Sequence, residues 1–288
     1  MNTYLGLDVG GTNIRLAVWD EAEPKVVARA DTPQDFAKFV EAIAGLVAPY
    51  AAVGVGVGFP GVAFDQHVGW VPKLPFLAGE DVAAELSAVC RAPVFFSNDA
   101  HAALLGEARF GAAKEAKVAL LVSLGTGIGG GLLIGGRVFR GASGSAGSFG
   151  WVNMSLDDPT HPEHGQLELQ ASGSALDAAA GELGLDTRAL VAAAREGDER
   201  ALGVVLGMGR RLGVGLATLV SVFDPEVVLV SGGLSAEFDL FEGAVNEALQ
   251  QRASPSGRRV PVRPAALGWQ AGAVGAAVLG REGKGAFI

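Results

Sequence analysis

Apolar runs alternate along this chain with glycine-rich turns and alanine-rich stretches. Residues 4–9 and 15–19 are two short apolar runs around a glycine-containing turn, which is typical of a β-hairpin. Strands are predicted at residues 4–9, 15–19, 51–58, 93–96 and 226–230, and helices at residues 80–90, 100–110, 167–183, 187–195, 199–223 and 271–279. Strands that alternate with helices indicate an α/β protein.

Residues 118–136 carry no charge and are long enough to cross a bilayer. Glycines crowd the middle of this segment, where they would weaken a helix most. We therefore interpret the segment as a strand, a tight turn and a second strand, so that it repeats the pattern of the first hairpin.

The two hairpins carry glycine-rich turns in matching positions. The first contains Gly10, Gly11 and Thr12, and the second has the sequence GTGIGGG at residues 125–131, which includes Thr126 and Gly127. Backbone N–H groups that converge in such turns bind oxyanions, and a missing Cβ lets the backbone approach them closely. For either segment alone, a purely structural turn is the alternative. The pair predicts two similar lobes that bind one phosphate chain.

The better-known nucleotide motifs do not describe these turns. Residues 125–130 satisfy GxGxxG, but a strand follows instead of a helix, and no acidic residue lies about twenty positions later, so a dinucleotide-binding Rossmann unit is rejected. No GxxxxGK[ST] sequence occurs either. Asp8, at the end of the first strand, is instead a carboxylate suited to a Mg2+ that bridges the phosphates.

Composition narrows the setting. The 288 residues are 49% hydrophobic, and the net charge of −9 without a basic cluster speaks against nucleic acid as a partner. The single cysteine, Cys90, excludes an intramolecular disulfide and multi-cysteine metal sites, which predicts a cytoplasmic protein. We expect no signal peptide, because the first strand begins without a basic segment before it. The predicted lobes are residues 1–113 with the C-terminal helix, about 271–288, and residues 114–270.

Eight short sequences, in this order, resemble the ROK family of sugar kinases, in particular its glucokinase-like members. They are LDVGGT at 7–12, GFPG at 58–61, NDA at 98–100, GTGIGGG at 125–131, RGA at 140–142, SGSAL at 172–176, SGG at 231–233 and AGAVGAA at 271–277. The resemblance spans nearly the whole chain. It implies the actin-like/hexokinase (ribonuclease H-like) ATPase fold, with two lobes and a cleft between them. We expect no helix-turn-helix domain of the kind that ROK repressors carry, because the phosphate turn begins at residue 8.

The resemblance also implies the reaction, which is the transfer of a phosphoryl group from ATP, with Mg2+, to a hydroxyl of a hexose or a related small sugar or polyol. It implies that Asp99 is the catalytic base and also contacts the substrate. Residues implied to bind the nucleotide are Asp8 (through Mg2+), Gly10, Gly11, Thr12, Thr126, Gly127, Gly232 and Gly233, and residues implied to line the sugar site are Gly61, Asn98, Glu168, Ser148 and Trp151. Two alternatives stay open: Asp99 as a helix N-cap, and Glu168 as an exposed acid at a helix start.

The chain departs from the family pattern around the acceptor. The family sequence Gly-Glu-Ile-Gly-His is replaced by GSFGW at 147–151, so Ser148 replaces a sugar-binding carboxylate and Trp151 replaces a zinc-binding histidine. The family's cysteine cluster is also absent, and we interpret His161 and His164 in its place as surface histidines. We therefore expect no structural zinc. Lys73 stands where the family has an asparagine near the sugar, and Trp151 either stacks on a sugar face or fills the pocket.

Three hypotheses for function follow. The leading one is a sugar kinase that forms a homodimer and has no nucleic-acid or membrane partner. The second is a catalytically impaired ROK-like sensor that binds nucleotide or sugar, and the third is an actin-like assembly ATPase. The retained Asp99 favours the enzyme, the lost Glu and His favour the sensor, and the Asn98-Asp99 pair argues against the assembly ATPase.

Overall fold

The computed structural model describes residues 2–20, 22–157 and 161–288. Its strands are β1 (Thr3–Val9), β2 (Asn13–Trp19), β3 (Lys25–Asp31), β4 (Ala52–Phe59), β5 (Ala63–Phe64), β6 (His67–Val68), β7 (Val94–Asn98), β8 (Val118–Leu124), β9 (Ile128–Ile134), β10 (Arg137–Phe139), β11 (Val227–Ser231) and β12 (Val262–Pro264). Its α-helices are α1 (Phe36–Val47), α2 (Val82–Cys90), α3 (Asp99–Phe110), α4 (Gln166–Ala171), α5 (Gly173–Gly181), α6 (Thr187–Arg195), α7 (Glu199–Phe223), α8 (Phe238–Arg252) and α9 (Ala271–Glu282). Residues 158–160, directly before His161, lie outside the described residues.

The chain divides into two compact units. The first comprises Met1–Lys117, Gly131–Ala146 and Trp269–Ile288, and the second comprises Val118–Gly130 and Gly147–Gly268. The lobes predicted from the sequence differ from these units mainly in Gly131–Ala146, which the pattern assigned to the C-terminal lobe. The assignment of functional domains to these segments stays a prediction.

The first unit is built on a five-stranded sheet in the order β3-β2-β1-β4-β7. Strand β1 is antiparallel to β2 and parallel to β4, and β4 is parallel to β7. Helix α9 lies directly on this sheet, because Cβ atoms at Gly6 or Gly56 would collide with its backbone. On the other face, α1 and α2 cover an apolar core that includes Leu7, Val57 and Phe96. This packing holds the carboxyl ends of β1, β4 and β7 at one edge of the sheet.

The second sheet has the order β10-β9-β8-β11-β12, with β8, β11 and β12 parallel. Strand β9 begins in the second unit and ends in the first. In the second unit, helix α7 packs closely on α8, because Gly213 brings it so near that a Cβ atom there would lie 2.5 Å from the Val245 carbonyl oxygen. Among the described residues, α7 alone has the length and apolar composition of a membrane span, and 56% of the residues in its apolar 18-residue window are buried in the fold.

Several elements differ from the sequence pattern. The helix predicted at residues 167–183 is broken into α4 and α5 at Ser172, whose hydroxyl accepts the Ala175 N–H at 3.2 Å and caps α5. Strands β3, β5, β6, β10 and β12 and helices α1 and α8 were not predicted. Strand β3 alternates exposed and half-buried residues, so its apolar signal is weak.

Candidate functional site

Asp8 lies at the end of β1, opposite Arg15 in the hairpin register. Its Oδ2 accepts a hydrogen bond from Arg15 Nη1 at 2.9 Å. Helix α9 begins beside this carboxylate, since a Cβ atom at Gly272 would lie 2.8 Å from Asp8 Cγ. Burial raises the pKa of Asp8, and the Arg15 guanidinium opposes that shift. The site therefore holds a carboxylate between a cation and a helix N-terminus.

The first glycine turn is braced through its carbonyl groups. The Thr32 hydroxyl donates to the Gly10 carbonyl oxygen at 2.8 Å, and Gln34 Nε2 donates to the Gly11 carbonyl oxygen at 3.1 Å. The N–H groups of Gly11 and Thr12 have no hydrogen-bond partner in the described part of the chain. These amides are therefore available to an oxyanion.

Asn98 and Asp99 lie where β7 leads into α3. Asn98 Oδ1 accepts the Ala100 and His101 N–H groups at 2.9 and 3.2 Å, so Asn98 is the N-cap of α3. The alternative that Asp99 is the cap is therefore wrong, because Asp99 is the first residue of the helix. Asn98 Nδ2 donates to the Gly61 carbonyl oxygen at 2.8 Å, which ties the two predicted sugar-site residues together.

The Asp99 carboxyl group sits in an environment that favours its neutral form. Burial, and then the nearby Asp8 carboxylate, raise its pKa to about 6, although the Ala100 N–H and the Lys73 cation oppose the shift. Asp99 Oδ1 accepts the Ala100 N–H at 2.8 Å. A carboxyl group with a pKa near neutrality is well suited to accept a proton from a substrate.

Gly61 and Lys73 complete this set in the first unit. Gly61 has φ +147°, and a Cβ atom there would collide with the Trp70 carbonyl oxygen, so the position requires glycine. The stem of Lys73 lies along the first glycine turn, since a Cβ atom at Gly11 would be 3.3 Å from Lys73 Cβ. Lys73 thus lies next to Gly11, a predicted phosphate-binding residue. Its charge lowers the pKa of Asp99.

The second glycine turn follows β8 in the second unit. Its carbonyl groups are held by the start of α5, where Gly173 N–H donates to the Gly125 oxygen at 2.8 Å and Ser174 N–H donates to the Thr126 oxygen at 3.1 Å. Among the described residues nothing accepts a hydrogen bond from the N–H groups of Thr126 and Gly127. This turn therefore presents free amides, as the first turn does.

Glu168 lies in the first turn of α4, and its carboxylate contacts the second glycine turn. Its Oε2 accepts the Ile128 N–H at 2.7 Å, and its Oε1 pairs with His164 Nδ1 at 2.6 Å. A Cβ atom at Gly127 would collide with Oε2. The side chain is 21% exposed, so the alternative of an exposed helix-start acid is wrong.

Ser148 and Trp151 flank a short 3-10 turn that packs against the start of α4. A Cβ atom at Gly150 would lie 3.0 Å from Glu168 Cβ, and a Cβ atom at Gly165 would collide with the Trp151 backbone. The Trp151 side chain is 52% exposed, so its indole does not fill the interior of its own unit. An exposed indole is available to stack on a ligand.

Gly232 and Gly233 follow β11. Gly232 has φ +85°, and a Cβ atom there would collide with the Leu124 carbonyl oxygen, one residue before the second glycine turn. The space around Gly233 is open within 4 Å. The structure thus brings the predicted adenosine turn next to the predicted phosphate turn within the second unit.

His161 and His164, which lie where the family has its cysteine cluster, are neighbours on the surface. Their ring centroids are 4.7 Å apart, and the described residues contain no group of three or more His, Cys, Asp or Glu side chains suited to a metal ion. Cys90 is buried in α2. The expectation that structural zinc is absent stays a prediction.

Two polar contacts were missed by the sequence analysis. Arg15 faces Asp8 in the hairpin, so the register of the two predicted strands contained this signal. His164 precedes Glu168 by four residues, a spacing that favours contact when the segment turns into a helix. Treating His164 as a surface residue overlooked that spacing.

Comparison with known proteins identifies the family. Residues 4–282 match the ROK family. The chain is 33% identical to a glucokinase of Streptomyces coelicolor, over 98% of both chains, and 33% identical to an N-acetyl-D-glucosamine kinase of Vibrio cholerae, over 82% of this chain and 86% of that protein.

Solved structures agree with the sequence match. A ROK family glucokinase from Streptomyces griseus, in complex with glucose and AMPPNP, is 31% identical with a TM-score of 0.83, covering 98% of this chain and all of that one. The ROK hexokinase from Thermus thermophilus is 33% identical with a TM-score of 0.82, covering 97% and 98%. The predicted actin-like/hexokinase ATPase fold is confirmed. This chain belongs to the ROK family.

Proposed function

We propose that this protein is a sugar kinase that transfers a phosphoryl group from ATP to a hydroxyl of a hexose or a related small sugar or polyol. The single observation that carries the proposal is the Asp99 carboxyl group, whose pKa is raised to about 6 at the start of α3. The family relatives support it, since a glucokinase and an N-acetyl-D-glucosamine kinase match this chain over 98% and 82% of its length.

The nucleotide is assigned to the glycine turns. Free N–H groups of Gly11 and Thr12 in one turn, and of Thr126 and Gly127 in the other, are donors for phosphate oxygens. The adenosine is assigned to the turn at Gly232 and Gly233, where a Cβ atom at Gly233 would meet no atom within 4 Å. The AMPPNP bound to the Streptomyces griseus glucokinase supports ATP as the phosphoryl donor.

Mg2+ is assigned to Asp8. Oδ2 is engaged by Arg15, whereas Oδ1 accepts no hydrogen bond from the described residues and is the hard oxygen donor that this cation prefers. Because the Arg15 cation lies against Oδ2, Asp8 would hold the metal indirectly. When bound, the metal neutralises charge on the phosphates.

Asp99 is assigned the role of general base. It orients the acceptor hydroxyl and takes its proton as the oxygen bonds to the phosphorus atom and ADP departs with the bridging oxygen. The Lys73 cation lowers the pKa of Asp99, which keeps more of the carboxylate ionised near neutral pH.

Sugar contacts are proposed for Gly61, Asn98 and Asp99 in the first unit, and as a separate proposal for Glu168, Ser148 and Trp151 in the second. Because Asn98 Oδ1 and Nδ2 already bond to the backbone, Asn98 shapes the loop and offers its remaining amide hydrogen to the sugar. A coupled assay of ADP release across hexoses, amino sugars and polyols tests the proposal, and absence of turnover with every acceptor would contradict it.

A sensor that binds nucleotide or sugar without turnover is the second candidate, because Ser148 and Trp151 replace the family's Glu and His. Saturable binding of AMPPNP by calorimetry, together with no ADP release above background, would favour it. We also propose that the protein is cytoplasmic, forms a homodimer and contains no structural zinc. Light scattering measures the oligomeric state.

A further inference from the structure

Glu168 uses both carboxylate oxygens at once, and each oxygen serves a different part of the second unit. Oε2 accepts the N–H of Ile128, the residue that ends the second glycine turn, at 2.7 Å. Oε1 faces His164 Nδ1 at 2.6 Å. A carboxylate oxygen only accepts, so Nδ1 carries the proton in this contact.

We infer that His164 is a positioning residue that fixes the Glu168 carboxylate, and that Glu168 thereby couples the acceptor sugar to the second phosphate turn. The sugar half of this inference rests on the proposed function, in which Glu168 binds the acceptor. The nucleotide half rests on the geometry of the turn alone.

The backbone around the pair leaves the carboxylate little freedom. A Cβ atom at Gly127 would collide with Oε2, and a Cβ atom at Gly150 would lie 3.0 Å from Glu168 Cβ. Gly165, between His164 and Glu168, packs on the backbone of Trp151. Rotation of the carboxylate therefore moves either the phosphate turn or the turn that carries Ser148 and Trp151.

His164 is the one contact of this carboxylate that lies on the solvent side. Its side chain is 49% exposed, and it reaches Glu168 across the four-residue spacing of the helix start. The carboxylate is thus held by hydrogen bonds on both oxygens, from the Ile128 N–H on Oε2 and from His164 on Oε1. Without it, Oε1 has no other hydrogen-bond donor among the described residues and reorients toward water.

His161 provides a matched control. Its ring lies 4.7 Å from that of His164 and it shares the same exposed loop, but its Nδ1 accepts the Glu163 N–H at 3.1 Å and makes no contact with Glu168. Replacing His161 changes the loop without removing the bond to the carboxylate.

The test compares His164→Leu, His164→Asn and His161→Leu in the full-length protein. Asn places an amide N–H near the position of Nδ1, so it restores the bond that Leu removes. We measure the acceptor KM and kcat with the best acceptor of the ADP-release screen, and AMPPNP affinity by calorimetry with and without that acceptor.

We expect His164→Leu to raise the acceptor KM and weaken AMPPNP binding, each by roughly fivefold, which corresponds to the upper range for an exposed charged pair. The same variant should reduce the gain in AMPPNP affinity that the acceptor produces. His164→Asn should restore most of each loss, and His161→Leu should leave all values within about twofold of the wild type.

Equal effects of His164→Leu and His161→Leu, or no recovery in His164→Asn, would overturn the inference, because a general loop effect would then explain the data. A kcat that falls without any change in the acceptor KM or AMPPNP affinity would overturn it as well. Failure of the proposed function is seen separately, as absence of wild-type turnover, and the AMPPNP measurements on the three variants still decide the nucleotide half.

Discussion

Replacing Asp99 by Asn separates catalysis from folding at one position. The carboxyl group has a pKa of about 6 in the folded protein and an ordinary value of 3.8. This difference corresponds to roughly 3 kcal/mol by which folding disfavours the ionised form. Because the Asp99 residue is half-buried by its accessible surface, solvent screens part of this effect, and we discount it to about 1–3 kcal/mol. The amide keeps an oxygen for the Ala100 N–H but neither ionises nor accepts the substrate proton.

The sign of the stability effect follows from the raised pKa. Below pH 4 the carboxyl group is protonated in both folded and unfolded states and costs nothing. Between about pH 4 and pH 6 the unfolded chain releases this proton while the folded protein retains it, so the free energy of unfolding falls over this range and then levels off. Asp99→Asn should therefore be more stable than the wild type at pH 8, by about 1–3 kcal/mol, and equal to it below pH 4.

The catalytic effect has the opposite direction. Turnover of Asp99→Asn should fall by about two orders of magnitude or more, with the acceptor KM changed less. In the wild type, kcat/KM should fall tenfold per pH unit below an apparent pKa of about 6. Urea unfolding at several pH values and steady-state kinetics on the same preparations measure both quantities. Ordinary turnover in Asp99→Asn, or a variant that is less stable at pH 8, would refute the assignment of Asp99 as a buried base.

The remaining predictions concern the cation beside Asp99, the phosphate turn, zinc and the acceptor. Lys73→Gln should move the acid limb of the kcat/KM profile to higher pH, because the Lys73 cation lowers the pKa of Asp99, whereas Lys73→Arg should leave it in place. Gly10→Val should abolish AMPPNP binding in calorimetry, and Gly45→Ala in α1, where a Cβ atom meets nothing within 4 Å, should not; unchanged affinity in Gly10→Val would contradict the assigned turn. Elemental analysis after dialysis against a weak chelator should find far less than one zinc per chain, and a stoichiometric value would show that ligands were overlooked. Glucose should be a poor substrate, because Ser148 lacks a carboxylate whose hydrogen bonds to sugar hydroxyls contribute roughly 1.5–3 kcal/mol each; ordinary turnover with a glucose KM in the micromolar-to-millimolar range would contradict this.

Much of the fold was predictable because its signals are local. The hairpin of β1 and β2 follows from two apolar runs around a glycine turn, and its register alone places Arg15 opposite Asp8. Helix α7 was found with its observed bounds, since its apolar face is long and periodic. Elements with weak patterns were missed, and α8 is an example, because its charged residues outweigh its buried face.

The electrostatic character of the site could not be predicted, because it depends on contacts between distant segments. Asp99 precedes an alanine-rich helix, so local rules favour it as a cap, yet the side chain of Asn98 takes that role and Asp99 accepts only the Ala100 N–H. Its raised pKa then arises from burial and from Asp8, which is about ninety residues earlier in the sequence. Neither cause has a sequence signature.

The same reasoning explains why the acceptor side of the chain was harder to interpret than the nucleotide side. The nucleotide side depends on backbone geometry. Gly127 and Gly232 must be glycines, because a carboxylate oxygen lies against the first and a carbonyl oxygen against the second. The acceptor side depends instead on contacts between side chains. The role of Glu168 could be interpreted only from the structure, in which Ile128 N–H and His164 Nδ1 contact its two carboxylate oxygens. We therefore expect Ser148, which replaces the family's glutamate, to change acceptor specificity while the phosphate turns keep their geometry, since Ile128 and His164 hold the Glu168 carboxylate.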